Sequence, residues 1–372
     1  MMRSQPLVLL LALAQLVSDG GLPRRAHFGV GLEKAAEGVR VFTVAPGSTA
    51  EVVGVAVGDI IEAVDGQPVN APEAVVAAVA KHRSGEPIAL DLRRDGAQRK
   101  IEGKLKSYPV EQMANATVHY GSVTAVPGVR LRTIVSIPQG QSTRRWPAVL
   151  LIQGGSCGSI DLPFNTNTGQ PGLMHTIGSQ GFVTMRVEKS GVGDSEGPPC
   201  GSIGYLEELD GYRAALTALR AHPSVDPQRV FLVGISLGGV FAPVLAARTK
   251  VAGISVYGTL AQAPTPYAGR SDRFFEEFEK VDVEAEWAKS GTRVQVLHGE
   301  YDIDPATRSA PVRIARIVNS SAGGSASYRD LPGHDHCWTR HASLEASRGK
   351  CGQGEETTAL SDAILAFLKN QD

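Results

Sequence analysis

Ser236 stands between Val230-Phe231-Leu232-Val233-Gly234-Ile235 and Leu237-Gly238-Gly239-Val240-Phe241-Ala242. The apolar run before it reads as a buried strand, and the stretch after it reads as a helix. A strand that turns directly into a helix holds the intervening serine in a strained conformation with its hydroxyl exposed. Gly234 and Gly238 carry no Cβ, so strand and helix can close around that turn. The helix N-terminus beneath the serine favours negative charge. The chemistry implied is nucleophilic attack by a hydroxyl. Spacing alone would not single out this serine, because Gly-x-Ser-x-Gly occurs three times, the others centred on Ser156 and Ser195. Pro198-Pro199 breaks any helix after Ser195, and Asp161-Leu162-Pro163 follows Ser156. Only Ser236 has a strand before it and a helix after it.

A serine hydroxyl needs a base to take its proton, and the base needs an acid to orient it. On a parallel sheet such groups sit at the C-terminal ends of strands. Val294-Gln295-Val296-Leu297 leads into His298-Gly299-Glu300-Tyr301-Asp302-Ile303-Asp304, which offers Asp302 or Asp304 as the acid, with Glu300 a solvated neighbour. Tyr328-Arg329-Asp330 leads into Leu331-Pro332-Gly333-His334-Asp335-His336, which offers His334 or His336 as the base. Only one histidine is expected to serve. A metal reading of His334-Asp335-His336 lacks a further ligand at suitable spacing. No Cys-x-x-Cys or paired-histidine zinc pattern occurs either, so neither metal nor cofactor is expected.

The elements that must carry these residues alternate. Strands are expected at Ala148 to Ile152, Phe182 to Val187, Val230 to Val233, Ala252 to Val256, Val294 to Leu297 and Ala326 to Asp330. Helices are expected at Tyr205 to Ala221 and Ala359 to Lys369. Two antiparallel strands open the region, at Val118 to Ser122 and Val129 to Pro138, with a turn at Pro127-Gly128. The alternation predicts an α/β domain: a doubly wound, mostly parallel sheet with helices on both faces. Between two strands, Thr259 to Ser290 contains Phe274, Phe275, Phe278 and Trp287. It reads either as a small lid or as packing on the body.

From about Thr117 onward the chain resembles the α/β-hydrolase superfamily, whose chain order is Ser, Asp, His. The resemblance implies a Ser-His-Asp triad. The family pattern His-Gly-x-x-Asp falls on Asp302. The family pattern Pro-Gly-x-x-His falls on His336, whereas a simple Gly-His reading would choose His334. The oxyanion hole would take the N–H of Leu237 and, from the loop after the Ala148 to Ile152 strand, that of Gly155. Gln153 stands where the family commonly has histidine. Arg186 to Ser195 resembles the family's loop after the next strand, with a part in shaping the sheet edge.

Ala26 to Leu105 contains the apolar-rich segment Val39 to Val44 and short strands at Ile60 to Val64, Ile88 to Arg93 and Lys100 to Leu105. Turns fall at Pro46-Gly47, Asp65-Gly66 and Asp95-Gly96. Asn70-Ala71-Pro72-Glu73 is read as capping a helix whose apolar residues are Val75, Val76 and Val79. The region resembles a PDZ domain of the bacterial exported type. That implies an extended peptide added as a strand, its C-terminal carboxylate held by backbone N–H groups. The loop Phe28-Gly29-Val30, continuing into Gly31-Leu32, matches the binding loop. Simple packing on the next domain is the plainer alternative.

The expected organisation is a signal peptide over 1–20, a PDZ domain over 26–106 and an α/β-hydrolase domain over 115–372, with a linker between the last two. Arg3 precedes the apolar run Leu7 to Ala14, too short to span a bilayer. No membrane span is expected after signal cleavage. A formal net charge of -1 without a long basic run argues against nucleic acid as a partner. Four cysteines in an exported chain permit disulfides, and Cys157–Cys200 with Cys337–Cys351 is the preferred pairing. The expected compartment is periplasmic or secreted.

Three functions follow. The first is an exported serine hydrolase cleaving carboxylic esters through an acyl-enzyme. The second is a peptidase of the same fold to which the PDZ domain presents peptide C-termini. The third is a non-catalytic PDZ adaptor, against which the complete set of triad residues argues.

Overall fold

The computed structural model describes residues 21–140, 145–262, 266–267 and 269–370. The expected signal peptide lies outside the described residues. The chain divides into two compact units, residues 23–110 and residues 111–372, the latter also taking Leu22.

The first unit contains β1 (Ala26–His27), β2 (Val30–Lys34), β3 (Val39–Val44), α1 (Thr49–Val53), β4 (Ile60–Val64), β5 (Gln67–Pro68), α2 (Pro72–Val79), β6 (Pro87–Arg94), β7 (Ala97–Lys104) and β8 (Lys106–Ser107). Its main sheet is antiparallel, in the order β2-β3-β4-β6-β7, with β5 on β4, while β1 pairs β8. Alternation drives this: Val39 and Val41 of β3, and Ile88, Leu90 and Leu92 of β6, turn inward to one core, and the residues between them face out. Two expectations for α2 are corrected. Its N-cap is Ala71 with no side-chain cap bond, and Pro72 enters the first turn instead. Val75 is buried but Val76 is exposed, because successive residues on a helix point about 100° apart and only one stripe of α2 meets the sheet.

The second unit contains β9 (Ala116–Val126), β10 (Val129–Pro138), β11 (Trp146–Ile152), α3 (Gly169–Ser179), β12 (Val183–Val187), α4 (Tyr205–Ala221), β13 (Val225–Ile235), α5 (Gly238–Ala246), β14 (Gly253–Tyr257), α6 (Asp272–Phe278), α7 (Val283–Lys289), β15 (Arg293–Gly299), α8 (Pro305–Asn319), β16 (Ser325–Leu331), α9 (Leu344–Ser347) and α10 (Ala359–Lys369). The sheet order is β16-β15-β14-β13-β11-β12-β10-β9. β10 pairs β9 and β12 antiparallel, and the remaining neighbours run parallel. This is an α/β-hydrolase fold preceded by a β-rich PDZ region.

Strands buried on both faces need apolar residues throughout. In β11, Ala148, Leu150 and Ile152 join the core beneath α4, α5, α7 and α8, while Val149 and Leu151 join the core beneath α3 and α10. Each fully buried Leu or Phe contributes about 1.5–3 kcal/mol. Phe274, Phe275, Phe278 and Trp287 are all buried in the first of these cores, with Phe278 stacked on Tyr205. The packing alternative therefore describes this segment, and those side chains form no lid.

The strand ends set the site. Register pairs Ile152 with Gly234 and Ile235 with Tyr257. The chain leaving β11, β13, β14, β15 and β16 thus emerges along one edge of the sheet.

Candidate active site

Ser236 sits where β13 ends and α5 begins, with φ of 51°. A side chain at positive φ is strained and persists only where its surroundings impose it. The surroundings here are the Ser236 N–H, which donates to the Tyr257 carbonyl at 2.8 Å, and two glycines. A Cβ at Gly234 would lie 2.8 Å from the Gly239 Cα, and one at Gly238 would collide with the Ile152 carbonyl.

His336 Nε2 lies 3.0 Å from Ser236 Oγ, and His336 Nδ1 lies 2.6 Å from Asp302 Oδ2. Asp302 is buried and enters by a tight turn, its N–H donating to the Gly299 carbonyl at 2.9 Å. His298 backs the same carboxylate, its Nε2 at 3.9 Å from Asp302 Oδ2. Burial of His336 lowers its pKa, but the hydrogen bond to Asp302 and the charge of that carboxylate outweigh burial, so the net displacement is upward from 6.5. The arrangement can take a proton from Ser236 and stabilise the imidazolium that results.

The alternatives are placed elsewhere. His334 is buried, with Nδ1 2.8 Å from the Pro332 carbonyl and Nε2 2.7 Å from Thr357 Oγ1. Asp304 caps α8, accepting from the Ala306 N–H at 2.8 Å. Glu300 is more than a solvated neighbour: its carboxylate accepts from the Gly333 N–H at 2.7 Å and braces the histidine loop. Asp335 organises that loop, accepting from the N–H groups of Thr339 (2.9 Å) and Gly352 (3.0 Å) and lying 2.8 Å from His341 Nε2. Ser195 Oγ accepts from the Arg132 N–H in the interior, and Ser156 is exposed. Among the described residues, no group of three His, Cys, Asp or Glu side chains is placed to hold a metal.

Gly154 lies over the nucleophile, since a Cβ added there would sit 3.5 Å from Ser236 Cβ. Among the described residues, neither the Gly155 N–H nor the Leu237 N–H donates to a protein acceptor. Gln153, which stands where the family commonly has histidine, is buried and donates from Nε2 to the Val187 carbonyl at 2.9 Å. A cleft of about 900 Å³ opens beside Ser236 and His336, walled by the loop after β11, the start of α3 and the segment from Cys337 to Ser361. Its lining is apolar and neutral polar, with Glu356 the one charged side chain apart from His336 among the described residues.

Disulfides join Cys157 to Cys200 and Cys337 to Cys351. The first lies two positions beyond Gly155, and the second starts at the residue after His336. In the N-terminal unit, Phe28, Gly29 and Val30 lead into the edge strand β2, beside which α2 packs. The Phe28 side chain is part of that unit's core, and Gly29 has φ of 81°.

Sequence reasoning missed two groups of residues. Glu111 falls in the expected linker, yet its buried carboxylate accepts from Arg186 Nη1 at 2.9 Å and from the Leu162 N–H at 3.1 Å, and lies 2.7 Å from His175 Nε2. Lys189, Glu208 and Arg270 form a second buried cluster behind the loop after β11. Only Lys189 carried a sequence signal, through the Arg186 to Ser195 motif.

Residues 149–357 match the family model described as the alpha/beta hydrolase family, and residues 26–105 match that of the PDZ domain. Est1E from Butyrivibrio proteoclasticus, solved with ferulic acid bound, is similar in structure with a TM-score of 0.52 at 16% identity, over 67% of this chain and 98% of that one. The acylaminoacyl peptidase of Pyrococcus horikoshii is similar with a TM-score of 0.52 at 13% identity, over 85% of this chain and 46% of that one. A hypothetical protein from Pseudomonas aeruginosa gives 0.50 at 14% identity, over 70% and 95%. No curated protein matches the chain in sequence.

Proposed function

The chain belongs to the alpha/beta hydrolase family, and on that premise we propose that it is a serine hydrolase that cleaves carboxylic esters through an acyl-enzyme. The observation that carries the reading is the hydrogen-bonded chain from Ser236 Oγ through His336 to Asp302. Ser236 Oγ attacks the ester carbonyl carbon while His336 Nε2 takes its proton, and Asp302 holds the imidazole and stabilises its charged form. The tetrahedral oxyanion accepts from the N–H groups of Leu237 and Gly155. Collapse breaks the ester C–O bond, and His336 returns the proton to the leaving alkoxide. Water, deprotonated by the same histidine, then releases the acid and regenerates Ser236. Among the described residues, Glu356 is the one carboxylate in the cleft lining, which disfavours an anionic substrate.

A peptidase of the same fold is the second reading, favoured by the PDZ domain, which would take peptide C-termini at Phe28-Gly29-Val30. The two disulfides support an oxidising compartment, periplasmic or extracellular. Profiling p-nitrophenyl esters beside aminoacyl arylamides separates the readings. Ser236→Ala should abolish fluorophosphonate labelling and lower ester turnover by at least about 10⁴-fold in a folded protein. Labelling that survives Ser236→Ala and disappears on changing Ser156 or Ser195 would refute the assignment.

A further inference from the structure

The carbonyls of three consecutive residues in the loop after β11 are each held by a buried cation. Lys189 Nζ donates to the Gly154 carbonyl at 2.6 Å and to the Ser156 carbonyl at 3.0 Å. Arg270 Nε donates to the Gly155 carbonyl at 3.0 Å. Lys189 and Arg270 are joined through Glu208, whose Oε1 lies 3.0 Å from Lys189 Nζ and whose Oε2 lies 2.6 Å from Arg270 Nη1. The three side chains come from the loop after β12, from α4 and from the segment before α6, and all are buried.

A trans peptide is planar, and its C=O and N–H point to opposite sides. The Gly154 carbonyl belongs to the same peptide as the Gly155 N–H. Fixing the first toward Lys189 therefore fixes the second away from it. The same holds for the Gly155 carbonyl with the Ser156 N–H, and for the Ser156 carbonyl with the Cys157 N–H. A cation on a carbonyl oxygen also polarises the peptide and strengthens its N–H as a donor.

We propose that Lys189, Glu208 and Arg270 are positioning residues that hold the loop after β11 by its carbonyls, so that the Gly155 N–H is aimed and polarised as an oxyanion donor for Ser236. The inference rests on the serine-hydrolase reading given above. An ion pair kept for stability alone would not need the backbone of three successive glycine-rich positions, and an apolar replacement of similar volume would serve as well. Burial pushes the Lys189 ammonium down to about 8 despite the charge of Glu208, a cost consistent with a functional site. The next residue, Cys157, is anchored to Cys200 and closes the loop's far side.

The test uses Lys189→Met in the full chain, with Lys189→Leu as a second protein; in both, Glu208 keeps Arg270 as its partner. Loss of one oxyanion donor costs about 10²–10³-fold in kcat. With p-nitrophenyl acetate, kcat should fall about 10²-fold while KM stays within about twofold. Affinity for an aryl trifluoromethyl ketone, which forms a hemiketal oxyanion on the serine, should fall by the same factor as kcat. Ser236 should still be labelled stoichiometrically by a fluorophosphonate at long times. A kcat within threefold of wild type overturns the proposal, as does a rate loss accompanied by unchanged ketone affinity. Failure of both variants to fold would assign the cluster to stability and overturn it equally. Absence of fluorophosphonate labelling in the wild-type protein would instead refute the serine-hydrolase reading.

Discussion

Glu111 offers a direct test of where the catalytic unit begins. Burial of its carboxylate would raise its pKa, but the bonds to His175 and Arg186 and their charges win, holding it at about 2 against an ordinary 4.5. At about 1.4 kcal/mol per tenfold, this corresponds to roughly 3 kcal/mol of stability at neutral pH. Because the folded pKa is depressed, that contribution is fully present above pH 4.5 and is lost as pH falls toward about 2. It should halve near pH 3.3 and drop below about 1 kcal/mol by pH 2.5. Glu111→Gln keeps the shape and removes the charge, leaving Arg186 buried without its counter-ion, so a loss of about 3 kcal/mol or somewhat more is expected at pH 7. The assay is urea unfolding followed by tryptophan fluorescence. All three tryptophans, Trp146, Trp287 and Trp338, lie in the unit that holds Glu111, so the signal reports that unit alone. A chain starting at Tyr108 loses the Leu22 carbonyl bonded to Arg132 but keeps Glu111, so it should be more stable than one starting at Ala116, which should be at least as destabilised as Glu111→Gln. A difference below about 0.5 kcal/mol at pH 7, or one that does not change with pH, would refute the reasoning.

The two histidines of the loop after β16 should separate in kinetics. His336→Ala should lower turnover by about 10³-fold or more, whereas His334→Ala should cost about 1–3 kcal/mol of stability and much less activity, and the reverse ranking would show His334 to be the base. The acid limb of kcat/KM should have its midpoint above 6.5, because His336 must be neutral to act and Asp302 favours its charged form. Asp302→Asn should bring that midpoint down and lower kcat by about 10⁴-fold. A wild-type midpoint below 6.5 would contradict the role given to Asp302.

The parallel sheet was legible because strands covered on both faces must be apolar throughout, as Val230 to Val233 and Ala148 to Ile152 are. Ser236 stood out by its flanking strand and helix; the later strand ends offered Asp302 or Asp304 and His334 or His336, and the family resemblance pointed to Asp302 and His336. These signals are all local. Glu111, Lys189, Glu208 and Arg270 left almost none. Each is a charged residue that, read alone, belongs on a solvated face, and each becomes intelligible only when distant elements bring its partner within about 3 Å, as Arg186 and Glu111 show across 75 positions. The aromatic segment from Phe274 to Trp287 was ambiguous for another reason. Clustered aromatics suit a lid and a core equally, and the stacking of Phe278 on Tyr205 decides between them.

The two disulfides have a consequence for how the site meets a substrate. One pins the loop that carries Gly155, and the other closes a loop of sequence separation 14 directly after His336. A cross-link over such a span removes about 3 kcal/mol of chain freedom from the unfolded ensemble. That ordering is completed when the chain folds and oxidises, before any ligand arrives. Under the proposed serine-hydrolase reading, each encounter then begins with the groups around Ser236 already arrested, and binding free energy is left for the reacting carbonyl rather than for immobilising the protein that surrounds it.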